Sequence, residues 1–145
     1  ALGLAKTATF FGYGDYYVPG HGERDTRDEA VEGYTGSHNQ ADFLAQQAFF
    51  RRHPDMITEG STYSWINAAY GSVKQLEEMH ACSTPITGFI AGDDRHVDWR
   101  ASSDLLHRLG AFQTVYWNAF HVLTREPAEY IPGFWDDLFT LFRAE

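Results

Sequence analysis

The spacing of apolar residues changes near Pro85. Before Pro85, apolar positions recur with the helical period in three stretches separated by polar and Gly-rich segments. A capping-box motif, Ser37-x-x-Gln40, indicates where the second stretch begins. The helices predicted from this pattern are residues 1–11, a helix from Ser37-x-x-Gln40 to His53-Pro54, and a helix that starts near Ser61 or Thr62. The Gly-rich residues 12–37 are predicted to form a long loop.

After Pro85 the pattern is typical of strands that alternate with helices. The apolar run from Ile86 to Ala91 is predicted to be a buried strand, and Asp98 is predicted to cap a helix that ends at Leu109. A second strand follows at Gln113–Trp117. A final helix carries an apolar stripe made of Phe134, Leu138, Leu141 and Phe142. The order β-α-β-α predicts an α/β fold with two adjacent parallel strands.

Two strands alone leave exposed sheet edges and an uncovered apolar helix face. We therefore expect the remaining strands to come from sequence before Ala1, as an upstream half-domain, or from self-association with another chain. The four tryptophans are expected to contribute to the core: Trp65, Trp99, Trp117 and Trp135.

Composition narrows the classes of partner. The formal net charge of −9 disfavours nucleic acid, because phosphate binding requires a basic surface. The single cysteine, Cys82, cannot form a disulfide within the chain and suits a reducing compartment. No apolar run is long enough for a transmembrane segment. We expect a cytoplasmic protein, either free or peripheral to a membrane, that needs no metal or cofactor.

The residues with the clearest chemical signal are an acid and a base on successive loops. Asp93 and Asp94 follow the first predicted strand, and His121 follows the second. An Asp and then a His at strand C-termini is the order of the last two members of a Ser…Asp…His triad in α/β-hydrolases. None of the seven serines lies in a Gly-x-Ser-x-Gly turn. Either the nucleophile lies upstream of this chain, or the triad interpretation is wrong.

Several motifs in this order carry a resemblance to a known family. Pro85-Ile86 opens the strand, Gly92-x-Asp94-x-x-Val97 follows it, and Ala119-Phe120-His121 precedes Glu126 by five residues. In these motifs residues 85–142 resemble the C-terminal end of α/β-hydrolases, and the closest likeness is to bacterial lysophospholipases and monoacylglycerol-lipase-like serine hydrolases. Two upstream segments resemble the lid and the following helix of that group: Phe11–Gly20 and Gly60–Trp65.

The resemblance implies a division into a lid or cap segment, residues 1–60, and the C-terminal part of an α/β-hydrolase core, residues 61–145. It also implies that Asp94 is the triad acid, with Asp93 as its rival, and that His121 is the general base.

The implied activity is hydrolysis of small carboxylic esters, with lysophospholipids or monoacylglycerols as substrates. His121 would take the proton of a serine hydroxyl, and the Asp94 carboxylate would orient the imidazole. One position departs from the family, since Val122 stands where an acidic residue usually follows the histidine. The alternative is a non-catalytic α/β module that binds a partner or a small ligand, because a fold does not fix a function.

Overall fold

The computed structural model describes residues 2–22, 34–57 and 60–143, and it belongs to the α/β class. Helices are combined with a small sheet of two parallel strands. In chain order the elements are α1 (Leu2–Phe10), α2 (Gln40–Arg52), α3 (Tyr63–Glu78), β1 (Thr87–Ala91), α4 (Trp99–Arg108), β2 (Phe112–Tyr116) and α5 (Phe134–Leu141). Single turns of 3-10 helix lie at Pro54–Met56 and Leu123–Arg125.

The contacts divide the chain into two compact units that interleave in sequence. The first unit draws on residues 1–28 and 47–80, and the second on residues 29–46 and 81–145. The predicted assignment of residues 1–60 to a lid and residues 61–145 to a hydrolase core stays a prediction.

In the first unit α1 packs against α3. The start of α3 is fixed by Thr62, whose hydroxyl accepts a hydrogen bond from the backbone N–H of Trp65 at 3.2 Å. Such a bond satisfies one of the free donors of the first helical turn. The predicted start of this helix is therefore confirmed.

Among the described residues, no helix is both long enough and apolar enough to cross a membrane.

The sheet of the second unit confirms the predicted parallel pair. Strands β1 and β2 are neighbours, in a register that runs from Thr87 opposite Phe112 to Ala91 opposite Tyr116. Helix α4 connects them and contacts both. Asp98 caps α4 by accepting from the N–H of Arg100 at 3.0 Å, as its sequence position predicts. Strand β2 is displaced by one residue from the predicted range, Gln113–Trp117.

The buried cluster of the second unit lies at the C-terminal ends of the strands and in the segments that follow β2. It consists of Ala91, Tyr116, Ala119, Ile131 and Phe134. Because the last residue of each strand belongs to this cluster, the loops that leave the strands start from fixed positions.

The predicted capping box at Ser37 is wrong. Helix α2 begins at Gln40, and the side chain of Asn39 accepts from the N–H of Asp42 at 3.1 Å, so Asn39 is the capping residue. The Ser37 hydroxyl instead donates to the carbonyl of Arg125 at 2.8 Å. The end of α2 before Pro54 is as predicted.

The expectation that the tryptophans fill a core is wrong, since three are exposed and Trp99 is only half-buried and lies outside the buried cluster. Trp65 is 60% exposed, Trp117 64% and Trp135 42%. Trp117 contacts Trp99 edge to face, with ring centroids 5.3 Å apart. An apolar residue type indicates what can be buried, whereas burial itself depends on an element that packs over the side chain.

Candidate acid–base site

Strand pairing continues beyond the ends of the two strands and joins the loops that follow them. The N–H of Gly92 donates to the carbonyl of Tyr116 at 2.9 Å, and the N–H of Asp93 donates to the carbonyl of Ala119 at 3.1 Å. Gly92 permits this close approach, because a Cβ atom at this position would lie 2.6 Å from the Cα of Trp117. The two loops are thus held side by side just before Asp94 and His121.

Asp94 and His121 form a direct hydrogen bond at this end of the sheet. Nδ1 of His121 lies 2.7 Å from Oδ2 of Asp94. The other carboxylate oxygen, Oδ1, accepts from the backbone N–H groups of His96 at 2.8 Å and Val97 at 3.1 Å. The Asp94 side chain is only 6% exposed, whereas the His121 side chain is 42% exposed. The acid is therefore buried behind the base, and the base faces outward.

The environment of Asp94 favours its ionised form. Burial raises the pKa of the Asp94 carboxyl, but the hydrogen bond with His121, the two backbone N–H donors and the charge of His121 together lower it below the ordinary value. The net direction is downward, so Asp94 is a carboxylate at neutral pH. A carboxylate in this position accepts the Nδ1 proton and leaves Nε2 of His121 as the basic nitrogen.

Asp93 has a different partner. Its carboxylate lies 3.5 Å from the guanidinium of Arg95, and both side chains are about half exposed. Because the N–H of Asp93 takes part in the extended pairing, the next residue in the chain is the one whose side chain reaches His121. The prediction that Asp94 rather than Asp93 contacts His121 is confirmed, and the catalytic roles of the pair stay predictions.

A small pocket of about 140 Å³ adjoins the pair. Its polar lining is Asp94, His121 and Ser102, and its apolar lining is Phe89, Ile90, Ala91, Val97, Trp99 and Leu123. Ser102 lies within helix α4 and not on a turn between a strand and a helix. The pocket therefore combines a base with apolar walls, and its volume, below the roughly 300–1,000 Å³ of common ligand pockets, has room for only part of a drug-sized molecule.

A second histidine, His96, stands next to the pair and was not singled out by the sequence. Its ring centroid lies 4.9 Å from that of His121, and its Nε2 lies 3.0 Å from the hydroxyl of Thr35. His96 follows Asp94 by two residues, and this proximity along the chain is the signal that could have found it.

The sequence points to Glu126 only through its spacing from His121. In the structure the Glu126 side chain is fully buried, accepts hydrogen bonds from His38 and from the backbone of Phe120, and lies beside the hydroxyl of Ser37. Ser37 and His38 lie almost 90 positions earlier in the chain, so no local pattern could have revealed these contacts.

No protein-family model and no curated protein matches the chain. In residues 2–22, 34–57 and 60–143, no group of three or more His, Cys, Asp or Glu side chains could hold a metal ion.

Proposed function

We propose that Asp94 and His121 are the acid and the general base of a serine hydrolase that cleaves carboxylic esters in the manner of α/β-hydrolases. The observation that carries the proposal is the 2.7 Å hydrogen bond between Nδ1 of His121 and the Asp94 carboxylate, at the C-terminal ends of adjacent parallel strands. The order Asp then His along the chain agrees with that of the α/β-hydrolase triad. In this proposal the serine nucleophile belongs to sequence upstream of these residues.

The geometry suits the proton transfers of acyl transfer. With Nδ1 donating to Asp94, Nε2 carries the free electron pair that accepts the proton of a serine hydroxyl. The same nitrogen then returns the proton to the leaving alcohol. The buried carboxylate keeps the imidazole in one tautomer and one orientation and stabilises the imidazolium that forms between these steps. The partly exposed ring of His121 leaves the base accessible to a nucleophile and a substrate.

The apolar pocket beside the pair supports an ester with a hydrocarbon group as the substrate. Side chains such as Phe89, Val97 and Leu123 favour an alkyl or acyl chain over a charged group. Lysophospholipids and monoacylglycerols, the substrates implied by the sequence resemblance, carry such a chain next to the scissile ester.

The test is ester hydrolysis by the natural protein that contains these residues. Purified protein is assayed with p-nitrophenyl esters, a lysophospholipid and a monoacylglycerol. His121→Ala and Asp94→Asn should each lower kcat/KM by about 10³- to 10⁴-fold. The neighbouring residues of the same type supply matched controls. The variants Asp93→Asn and His96→Ala should keep kcat/KM close to the wild-type value. Equal losses in the controls, or activity that survives His121→Ala, would contradict the proposal.

The second candidate is a non-catalytic binding module on the same scaffold. It is favoured by the absence of a Gly-x-Ser-x-Gly turn in these 145 residues. In that case the pocket beside His121 would bind and release a ligand without reacting with it. No variant of Asp94 or His121 would then alter ester turnover.

A further inference from the structure

The backbone on both sides of His121 is held by one buried cluster. The N–H of Phe120, the residue before it, donates to Oε1 of Glu126, and the N–H of Val122, the residue after it, donates to the carbonyl of Gly36 at 2.7 Å. Glu126 lies further along the same connection between β2 and α5, whereas Gly36 belongs to a distant segment. The peptide groups 119–120 and 121–122, one before and one after His121, are thus both held by hydrogen bonds.

Glu126 is the centre of this cluster. Its other oxygen, Oε2, accepts from the N–H of His38 at 2.9 Å, and the hydroxyl of Ser37, which donates to the carbonyl of Arg125, lies 3.4 Å away. Nδ1 of His38 lies 3.0 Å from Oε1 and 3.2 Å from Oε2. A carboxylate with no exposed surface requires such donors, because burying an unpaired charge is costly. The donors come from two distant segments, so one side chain joins residues 37–38 to the His121 loop.

The ring of His38 reinforces this connection by stacking. It lies between the rings of Phe120 and Tyr130, 3.8 Å from each centroid, at interplanar angles of 15° and 6°. Phe120 is therefore held through its backbone by Glu126 and through its side chain by His38. We refer to the set Ser37, His38, Phe120 and Glu126 as the Glu126 brace.

We propose that Glu126 is a positioning residue for His121, acting through the Glu126 brace to hold the imidazole against the Asp94 carboxylate. The role of Glu126 in catalysis rests on the proposed function, whereas the effect of Glu126 on the His121 imidazole can be measured without any substrate. A position error near 1 Å in a catalytic group is enough to cost about 100-fold in rate. A residue that touches neither substrate nor nucleophile can thus control the reaction by setting this geometry.

The primary readout is the tautomer of His121 in the 145-residue chain. Long-range ¹H–¹⁵N correlation spectra are recorded at alkaline pH, where imidazole is neutral. In the wild type the Nδ1–H form should dominate, because that proton is held by Asp94. Asp94→Asn gives the reference spectrum of an imidazole without its carboxylate partner.

Glu126→Gln removes the charge and replaces one carboxylate oxygen with an NH2 group, which then faces either the N–H of Phe120 or the N–H of His38. This variant should lose most of the Nδ1–H form and approach the Asp94→Asn spectrum. Glu129→Gln is the matched control, since Glu129 is exposed on the same segment, and it should retain the wild-type spectrum. A folded Glu126→Gln protein with the wild-type tautomer ratio would overturn the proposal.

Should Glu126→Gln fail to fold, His38→Phe decides the question. Phenylalanine keeps a ring between Phe120 and Tyr130 but removes the Nδ1 donor to Glu126. A partial loss of the Nδ1–H form supports the brace, and an unchanged ratio overturns it. The outcome is separable from the proposed function. If the tautomer depends on Glu126 but the natural protein that contains these residues hydrolyses no ester, the positioning role stands and the proposed hydrolase function fails. If the natural protein hydrolyses esters but the tautomer does not depend on Glu126, the hydrolase function stands and the positioning role fails.

Discussion

The backbone N–H of Asp93 donates to the carbonyl of Ala119 at 3.1 Å, beyond the last paired residues of the two strands. This bond extends the parallel pairing into the loops and brings Asp94, the next residue, to the side chain of His121. Asp93 itself pairs with Arg95 at the surface. Backbone pairing therefore determines that Asp94, and not Asp93, contacts His121. The hydrogen bond between Asp94 and His121 depends on this pairing.

The close approach at Gly92 gives a prediction about this pairing. Gly92→Ala places a methyl group 2.6 Å from the Cα and 3.0 Å from the carbonyl oxygen of Trp117, and backbone atoms cannot rotate away. We expect the variant to lose about 1–3 kcal/mol of unfolding free energy, measured by urea denaturation.

The control is Gly71→Ala in helix α3, where nothing lies within 4 Å of the added methyl group. This substitution should stabilise the chain by about 0.5–1 kcal/mol, because alanine is the better helix former. Similar effects of the two substitutions would show that the loops are not held as closely as described.

The depressed pKa of Asp94 predicts a pH dependence of stability. Because the folded-state pKa lies below the ordinary value of 3.8, the folded form binds fewer protons than the unfolded form in this range. The stabilisation from the ionised carboxylate is complete above about pH 4 and is lost as the pH falls through the lower folded-state pKa.

Asp94→Asn cannot titrate at this position, so the stability difference from wild type should be largest near neutrality and should shrink in acid. Urea denaturation across this range measures the difference. Asp93→Asn, which removes an exposed ion pair, should change stability by less than about 1 kcal/mol throughout. A wild-type advantage over Asp94→Asn that persists unchanged in strong acid would refute the assignment of the low pKa to this residue.

Exposed apolar side chains predict self-association of the 145-residue chain. Large rings are exposed in both compact units, with Phe10 at 83%, Phe112 at 80% and Phe142 at 77%. The described sheet has only two strands, so each strand has an outer edge without a strand neighbour in the described residues. Light scattering should detect dimers or larger species, and Phe112→Lys at the start of β2 should reduce their amount. A monodisperse monomer at all concentrations would contradict this expectation.

The sequence predicted well those features that depend on neighbouring residues. Thr62 and Asp98 cap the helices that follow them, Pro54 ends α2, and the apolar run before Gly92 is a strand. Such signals are local, since a cap or a break acts within one helical turn. The adjacency of the two strands followed from the single helix between them.

Features set by distant segments could not be predicted. Ser37 has the sequence of a capping residue, yet its hydroxyl is bonded to Arg125, 88 positions away. His38, a partner of Glu126, is equally remote in the chain. The exposure of Trp65 and Trp117 likewise depends on what packs over them, which their own sequence neighbourhood does not contain. Within the site, the contact between Asp94 and His121 was predictable because both follow strand ends, but the residues that hold them in place were not.

The absence of a Gly-x-Ser-x-Gly turn predicts that the 145-residue chain alone does not turn over esters. Hydrolysis of a p-nitrophenyl ester by this chain should equal that of its His121→Ala variant. Turnover that is lost in His121→Ala and blocked by a serine-directed inhibitor would indicate a nucleophile within these residues. Ser102→Ala would then be the first variant to test, since Ser102 lines the same pocket as His121.

In the proposed function His121, oriented by Asp94, activates a serine, and this activation sets the rate at which the serine displaces fluoride from an alkyl fluorophosphonate and becomes covalently labelled. In the natural protein that contains these residues, one serine should be labelled, and His121→Ala should slow its labelling by about 10³-fold or more. His96→Ala, which changes the neighbouring histidine, should leave the rate close to wild type. The absence of any labelled serine, or an equal labelling rate in His121→Ala, would rule out this role of His121.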